Sequence, residues 1–126
     1  MKLIGIDHVD IRVRSIAEVE AFYDALMPAL GVSHKTASHV AADGEWHDVD
    51  DSHPRNVFEY FPPQVVGQVS WFVGLIEDAE TIATATRVAF TLDDEEALAA
   101  VERIVREAGG SVVESSIVET YPAIFF

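Results

Sequence analysis

The feature that most constrains the fold is a strict alternation of side chains over residues 6–13. His8, Asp10 and Arg12 occupy every second position, and the positions between them are apolar from Val9 onward. Because successive side chains of a β-strand point to opposite sides of the sheet, this alternation predicts a strand with one apolar and one ionisable face. An ionisable strand face either meets bulk water or lines a polar pocket.

A helix is predicted directly after this strand, over residues 15–28. Ser15 and Glu18 have the spacing of a capping box, in which each side chain caps a free backbone N–H of the other residue. Pro28 and Gly31 predict the end of the helix, because proline lacks an N–H and glycine readily takes the left-handed conformation that follows a helix. Apolar side chains recur between these signals at helical spacing, at Val19, Phe22, Tyr23, Leu26 and Met27.

The strand–helix pattern returns 79 positions later in the chain. Residues 86–92 predict a second strand and residues 94–108 a second helix, whose acidic start is favoured by the helix dipole. At this offset Arg87 falls on His8, and Gly110 falls on Gly31. Two strand–helix units in the same phase predict an internal repeat.

The remaining strands are predicted from shorter signals, over residues 32–42, 56–61, 69–76, 111–119 and 121–126. The resulting order is strand, helix and three strands, then strand, helix and two strands. That order predicts an α+β fold rather than a parallel sheet with one helix per strand. A loop over residues 45–53 is rich in Asp, Glu and His, but its spacing fits no calcium loop, and we interpret it as a solvated acidic loop.

Composition narrows the class of protein and of partner. The chain has 126 residues, no cysteine and a formal net charge of −14, which predicts one domain of ordinary size without disulfides. Its acidity argues against nucleic acid and anionic membranes as partners, since phosphate binding needs basic surface. The sequence shows neither the ~20-residue apolar run that spans a bilayer nor the apolar core of a signal peptide. We therefore expect a soluble cytoplasmic protein.

Five short segments, taken in order, resemble the vicinal oxygen chelate superfamily, the group of glyoxalase I, bleomycin-resistance proteins and extradiol dioxygenases. They are Ile6-Asp7-His8-Val9, Leu30-Gly31-Val32, Arg87-Val88-Ala89-Phe90, Ala108-Gly109-Gly110 and Tyr121-Pro122-Ala123-Ile124-Phe125-Phe126. The resemblance implies paired βαβββ modules whose sheets curl into a cup. Here a single domain, 1–126, would contain modules over about 1–80 and 81–126, the second module one strand short.

The resemblance also implies a metal site, of which this sequence keeps one ligand. His8 stands where the family has its first-strand metal ligand, and Arg87 stands where many members have a second histidine. Arginine has no acceptor atom and keeps its proton, so it cannot bind a cation. The strand over 69–76 offers no carboxylate or imidazole before Glu77, and the family's final glutamate would follow Phe126.

The predicted ligand-binding residues are His8, Asp10, Arg87, Trp71 and Tyr121, with His8 also the candidate metal ligand. For four of these residues the sequence also leaves a structural interpretation open. His8 is then a hydrogen-bonded strand histidine, Arg87 a salt-bridged strand arginine, Trp71 a core residue and Tyr121 a strand-edge phenol. In the functional interpretation, Arg87 grips a carboxylate or phosphate through two parallel hydrogen bonds.

Two classes of function follow from the resemblance. The first is a module that binds a small anionic or aromatic molecule in the cup, with no cofactor and without a complete metal site. The alternative is a metal-dependent lyase (lactoylglutathione lyase-like), isomerase or ring-cleaving extradiol dioxygenase. Such an enzyme would bind Zn, Ni, Fe or Mn with further ligands from a C-terminal tail or a partner chain. A homodimer in which a second chain completes the site is expected in either case, and a plain dimer scaffold is a third option.

Overall fold

The computed structural model of the chain describes residues 5–68, 70–82, 88–92, 95–111, 113–118 and 121–126. At positions 95, 115–118, 121, 122 and 125 it describes the backbone alone. The elements are β1 (His8–Val13), α1 (Ile16–Ala29), β2 (His34–Val40), β3 (Trp46–His47), β4 (Val57–Phe61), β5 (Phe72–Glu77), α2 (Glu95–Glu107), β6 (Glu114–Val118) and β7 (Tyr121–Phe125).

Five of the seven described strands form one open, mixed sheet in the order β1-β5-β4-β2-β3. β1 lies parallel to β5, whereas β5 and β4, β4 and β2, and β2 and β3 are antiparallel neighbours. A parallel pair needs a crossover connection, and α1 is part of the long connection between β1 and β5. β6 and β7 form a separate antiparallel pair. The predicted α+β class is confirmed.

The hydrophobic core lies on the side of the large sheet that faces the helices. Its buried members come from both helices, from β4 and β5 and from Val32, and they are Ile16, Leu26, Met27, Val32, Phe58, Tyr60, Val73, Leu75, Val101 and Val105. Ile11 and Val13 of β1 pack against this cluster, which confirms the apolar face predicted for the first strand. Because α2 supplies Val101 and Val105, helices from both halves of the chain share one core.

The N-terminus of α1 is capped differently from the sequence prediction. Ser15 is the N-cap residue, but its side chain makes no capping hydrogen bond, so the predicted capping box with Glu18 is wrong. Instead, the Ile16 N–H donates to Oε2 of Glu77 at 2.9 Å. The last residue of β5 lies close enough to the start of α1 to supply the carboxylate. This contact between distant parts of the chain replaces the local one.

The C-terminus of α1 follows the prediction closely. The helix continues one residue past Pro28 and ends at Ala29, with Gly31 in the left-handed conformation at φ 77°. Proline is accepted in the last turn, where removing one backbone donor disturbs little of the helix. Gly31 takes the position that glycine favours because it lacks a Cβ.

A polar network holds α1 on the sheet. The buried Tyr60 hydroxyl donates to Oδ1 of Asp24 at 2.8 Å, and Lys35 Nζ donates to Asp24 and Glu20, each at 2.8 Å. Lys35 Nζ also lies 3.9 Å from the centre of the Phe58 ring. Burial acts to raise the pKa of Asp24, but the hydrogen bonds from Lys35 and Tyr60 outweigh it and lower that pKa. Burial and the Asp24 carboxylate raise the pKa of Tyr60.

The second half of the chain matches the predicted repeat in its helix and not in its strand. α2 begins at residue 95, 79 positions after the start of α1. Residues 88–92, however, form no strand, so that part of the prediction is wrong. Val88 and Phe90 are 39% and 37% exposed, while Leu92 packs against the core. A period-2 pattern shows which side chains would share a face, but it does not supply the neighbouring strand on which strand formation depends.

Candidate functional site

The sheet surface opposite the core is the candidate site, and we call it the His8 face. It consists of those side chains of β1, β5, β4 and β2 that point away from the core. Strand pairing arranges these side chains in three rows across the sheet: His8, Phe72, Phe61 and His34; then Asp10, Gly74, Glu59 and Thr36; then Arg12, Ile76, Val57 and Ser38.

The first row is aromatic across four adjacent strands. The His8 and Phe72 rings are stacked, with centroids 4.8 Å apart and an interplanar angle of 10°. Phe72 and Phe61 lie 5.1 Å apart, and Phe61 and His34 lie 5.9 Å apart, both tilted. These separations are within the range of favourable aromatic contacts. The row therefore offers a strip of aromatic rings with an imidazole at each end.

The second row is acidic, with Gly74 between its two carboxylates. On either side of this glycine stand Asp10 of β1 and Glu59 of β4. The Asp10 carboxylate extends over Gly74, into the space that a Cβ at that position would fill. Thr36 Oγ1 donates to Glu59 Oε2 at 3.2 Å. The row places two carboxylates on either side of a buried glycine, which the Asp10 carboxylate covers.

The third row provides an apolar floor at the opposite end of the face. Val57 and Ile76 are 0% and 2% exposed, although neither belongs to the core cluster on the helix side. Beside them, the Ser38 hydroxyl is buried without a hydrogen-bond partner among the described residues. Arg12, exposed on β1, is the cation of this row.

The charge state of His8 is set by its acidic neighbours. Its Nδ1–H donates to Oδ2 of Asp7 at 2.9 Å, and its Nε2 lies 3.7 Å from Oδ2 of Asp10. The hydrogen bond to Asp7 is the main reason that the pKa of His8 is raised above 6.5, and Asp10 and Glu59 act in the same direction. The imidazole is therefore protonated over a wider pH range than a free histidine.

The structure brings only some of the predicted site residues together. His8 and Asp10 lie side by side on the His8 face, as their spacing predicts. Trp71 precedes β5 and packs against the hydrophobic core instead of beside His8. Tyr121 begins β7, paired with Val118, but its side chain lies outside the described part of the structure, and Arg87 lies outside it entirely.

Four residues of the His8 face were missed in the sequence: His34, Glu59, Phe61 and Phe72. The alternation within β4 and β5 already separates Glu59 and Phe61 from Tyr60, and Phe72 from Val73. Nothing in the pattern shows that β5 lies between β1 and β4. Only that order places Phe72 against His8 and Gly74 between two carboxylates.

No group of three or more His, Asp and Glu side chains within the described ranges is arranged to hold a metal ion. His39, His47 and His53 do cluster near the β2–β3 hairpin, but the His47 and His53 rings are stacked 4.1 Å apart, and His39 Nδ1 donates to the Pro54 carbonyl. Stacked rings do not direct their nitrogen atoms toward one point. The metal-bound alternative therefore stays a prediction.

The acidic loop of residues 45–53 is held by local hydrogen bonds. Asp50 Oδ1 accepts from the Ser52 hydroxyl and from the N–H groups of Ser52 and His53. These bonds lower the pKa of Asp50 to about 2, the Ser52 hydroxyl contributing most. Residues 48–52 are exposed, as expected for a solvated loop, but Trp46 and His47 form the short strand β3, so the loop prediction is wrong at these two positions.

Among the described residues, the first two rows of the His8 face form an open surface, whereas Val57 and Ile76 in the third row are buried. The two best-formed depressions on the described surface lie elsewhere, one along α2 and one between the helices near Ala25 and Ile104. Both are lined mainly by alanine and by α2 side chains that are charged or aliphatic. We give the His8 face more weight because it combines aromatic rings, an imidazole and carboxylates on adjacent strands.

Comparison of the chain with protein-family models, with curated proteins and with solved structures finds no match. The resemblance to the vicinal oxygen chelate superfamily therefore rests on the sequence segments given above. None of the described helices is long and apolar enough to cross a membrane.

Proposed function

We propose that this chain is a small-molecule-binding protein of the vicinal oxygen chelate type, whose binding surface is the His8 face. The observation that carries this proposal is the aromatic row of His8, Phe72, Phe61 and His34 on four adjacent strands. Apart from the two-residue β3, the strand–helix–strands order of β1 to β5 is consistent with one βαβββ module of that superfamily. In this proposal no complete metal site is needed, and the protein binds without a cofactor.

The ligand that best fits this surface is a planar aromatic molecule carrying hydrogen-bond donors. The aromatic strip can contact a flat ring, and the Asp10 and Glu59 carboxylates of the neighbouring row lie within reach of donors on that ring. These two acceptors favour a neutral or cationic ligand. The anionic ligand predicted from the sequence depended on Arg87, which lies outside the described residues.

A homodimer is part of this proposal. An open sheet face leaves one side of a stacked ligand in water, and a second chain would cover more of it. The proposal places the protein in the cytoplasm, without nucleic acid or membrane as a partner.

The proposal is tested by displacing the Asp10 carboxylate in the second row. Gly74→Ala places a Cβ where the Asp10 carboxylate lies, and this flexible side chain must move. Gly5→Ala is the matched control, since a Cβ there meets nothing within 4 Å. Binding of neutral, cationic and anionic planar aromatic compounds is followed by NMR chemical shifts. We expect neutral or cationic compounds to shift signals of His8, Phe61 and Phe72.

Gly74→Ala should weaken that binding by about tenfold, or ~1.4 kcal/mol, while Gly5→Ala leaves it unchanged. Thermal unfolding of both variants checks that the fold is intact. Shifts confined to the groove between the helices, or a preference for anionic compounds, would contradict the assignment to the His8 face.

A further inference from the structure

The outer edge of β1 offers a row of backbone groups for pairing. β1 is the end strand of the described sheet, with β5 on its inner side. The Asp7 and Val13 carbonyls accept hydrogen bonds from the N–H groups of Phe72 and Asp78, at 3.2 and 2.8 Å. Because alternate residues of a strand serve opposite neighbours, the even-numbered residues of β1 direct their N–H and C=O groups outward.

Among the described residues, the β1 edge carries neither a proline nor a bulge, two of the features that prevent pairing. β1 is six residues long, contains no proline and pairs with β5 in unbroken register. Edge strands of soluble proteins are normally short, bulged, covered or protected by charged side chains. β1 carries charged side chains of both signs, Asp10 and Arg12, which can pair with each other across two copies.

We propose that a second copy of this chain pairs with β1 across this edge, antiparallel, with the two-fold axis at Ile11. In that register, Asp10 lies opposite Arg12 of the partner subunit, and Arg12 lies opposite Asp10 of the partner subunit. On the core side, Val9 meets Val13 of the partner subunit and Ile11 meets its own counterpart. Opposite charges and apolar pairs directly across two strands both stabilise an antiparallel pair.

Charge selects this register among those that the backbone allows. Hydrogen bonding across this edge requires even-numbered residues to face each other. In the nearest alternative registers, each residue of β1 therefore pairs two positions further along the partner strand, in one direction or the other. One alternative places Asp10 opposite the partner's Asp10, and the other places Arg12 opposite the partner's Arg12. Each sets two like charges side by side on the axis, which is unfavourable.

The arrangement also fits the overall charge of the molecule. Two copies, each with a formal charge of −14, repel each other, and the chain has only eight Lys and Arg residues. Arg12 and Arg14 place two of these eight in β1 or directly after it. Salt near 0.15 M, where the Debye length is about 8 Å, screens the long-range repulsion more than the close pairs.

The paired strands would join the two His8 faces into one surface. A two-fold axis perpendicular to the sheet keeps His8, Asp10 and Arg12 of both copies on the same side. Each copy then contributes its Arg12 beside Asp10 of the partner subunit, which lies over Gly74 of that subunit. This inference deepens the homodimer proposed above and rests on it.

Charge exchange between two variants tests the interface. In Asp10→Arg the facing residues are both arginine, and in Arg12→Asp they are both aspartate, so each variant alone should dimerise at least about tenfold more weakly than the parent. Mixing the two variants restores two Asp–Arg pairs and should restore the dimer. Sedimentation of each protein and of the mixture, at roughly 0.15 M ionic strength, measures this directly. Asp51→Arg and Arg103→Asp make the same charge changes away from β1.

The outcomes separate this inference from the proposals on which it rests. Single variants that dimerise as well as the parent, or a mixture that stays monomeric, would overturn the β1 interface while leaving a dimer through another surface. A parent that sediments as a monomer at all concentrations would overturn both the interface and the homodimer. Neither result bears on the Gly74→Ala binding test.

Amide hydrogen exchange of the parent provides a measurement that needs no variant. The N–H groups of Asp10 and Arg12 should exchange at least about tenfold more slowly in concentrated than in dilute protein. Those of Val9 and Ile11, which face β5, should change much less. Fast exchange of Asp10 and Arg12 in a sample that is fully dimeric would overturn the proposal even if a variant failed to fold.

Discussion

At the residue scale, the immediate surroundings of His8 decide its chemistry. The Asp7 carboxylate accepts from Nδ1, so Nε2 is left to face Asp10 and the rest of the His8 face. When the imidazole is protonated, it is a cation stacked on Phe72 and flanked by two carboxylates. A neutral imidazole in the same place leaves Nε2 as an acceptor, so the hydrogen bonding offered to a ligand depends on pH.

Asp7→Asn should therefore lower the pKa of His8. The variant removes the main cause of the upward shift, while Asp10 and Glu59 remain. A raised pKa in the folded state stabilises the fold below pH 6.5, the ordinary value, and this contribution is lost as the pH rises through the folded pKa. NMR titration of the His8 ring checks the direction. An unchanged pKa in Asp7→Asn, with Asp43→Asn as control, would show that Asp7 is not the cause.

The sequence predicted these contacts only in part. Alternation placed His8 and Asp10 on one face, and that prediction is confirmed by their 3.7 Å approach. Stacking of His8 on Phe72 could not be predicted, because it depends on which strand lies beside β1. Trp71 and Phe72 are adjacent in sequence, yet one packs against the core and the other lies on the His8 face.

At the scale of elements, the contact between Glu77 and α1 replaces a local capping signal with a tertiary one. Glu77 ends β5, and its carboxylate accepts from the first helical N–H of α1. A carboxylate at this position also interacts favourably with the helix dipole. The contact thus links the parallel β1–β5 pair to the helix that connects them in sequence.

Removal of the Glu77 carboxylate should lower the free energy of unfolding more than removal of the Ser15 hydroxyl, which the sequence predicts as the cap. We expect Glu77→Ala to lower the free energy of unfolding by about 1 kcal/mol, as for other helix caps. Ser15→Ala should cost less, since the Ser15 side chain makes no capping hydrogen bond. Glu77→Gln keeps an acceptor without the charge, so its loss in the free energy of unfolding should lie between those of Ser15→Ala and Glu77→Ala. Urea unfolding measures all three, and a larger loss in Ser15→Ala than in Glu77→Ala would contradict this account.

Helices and individual strands were easier to predict than their arrangement. The bounds of α1 and α2 follow from local apolar spacing and from glycines after each helix, and both predictions hold within a few residues. The parallel pairing of β1 with β5 spans more than 60 residues of sequence, and no local pattern encodes it. The absence of a strand over residues 88–92 has the same cause, since a local alternation does not supply a neighbouring strand.

At the scale of the whole molecule, one core connects the two halves that the repeat predicted. Val101 and Val105 of α2 belong to the same buried cluster as Phe58 and Tyr60 of β4. A shared core makes independent unfolding of the halves unfavourable, because separating them would expose apolar surface on both sides. The chain should therefore unfold as one unit, which agrees with the single domain predicted from its length.

Val105→Ala provides the test of that unity. Val105 is fully buried, and deleting two methyl groups from a packed core should lower the free energy of unfolding by about 2 kcal/mol. Val66→Ala removes the same groups from a fully exposed position and should change stability little. Tryptophan fluorescence, which reports on Trp46 and Trp71 in the first half, and far-UV circular dichroism should show coincident unfolding transitions in all three proteins. If Val105→Ala instead shifted only part of the circular dichroism change and left the fluorescence transition in place, residues 81–126 would be a separate unit, and the shared core would not be what stabilises the fold.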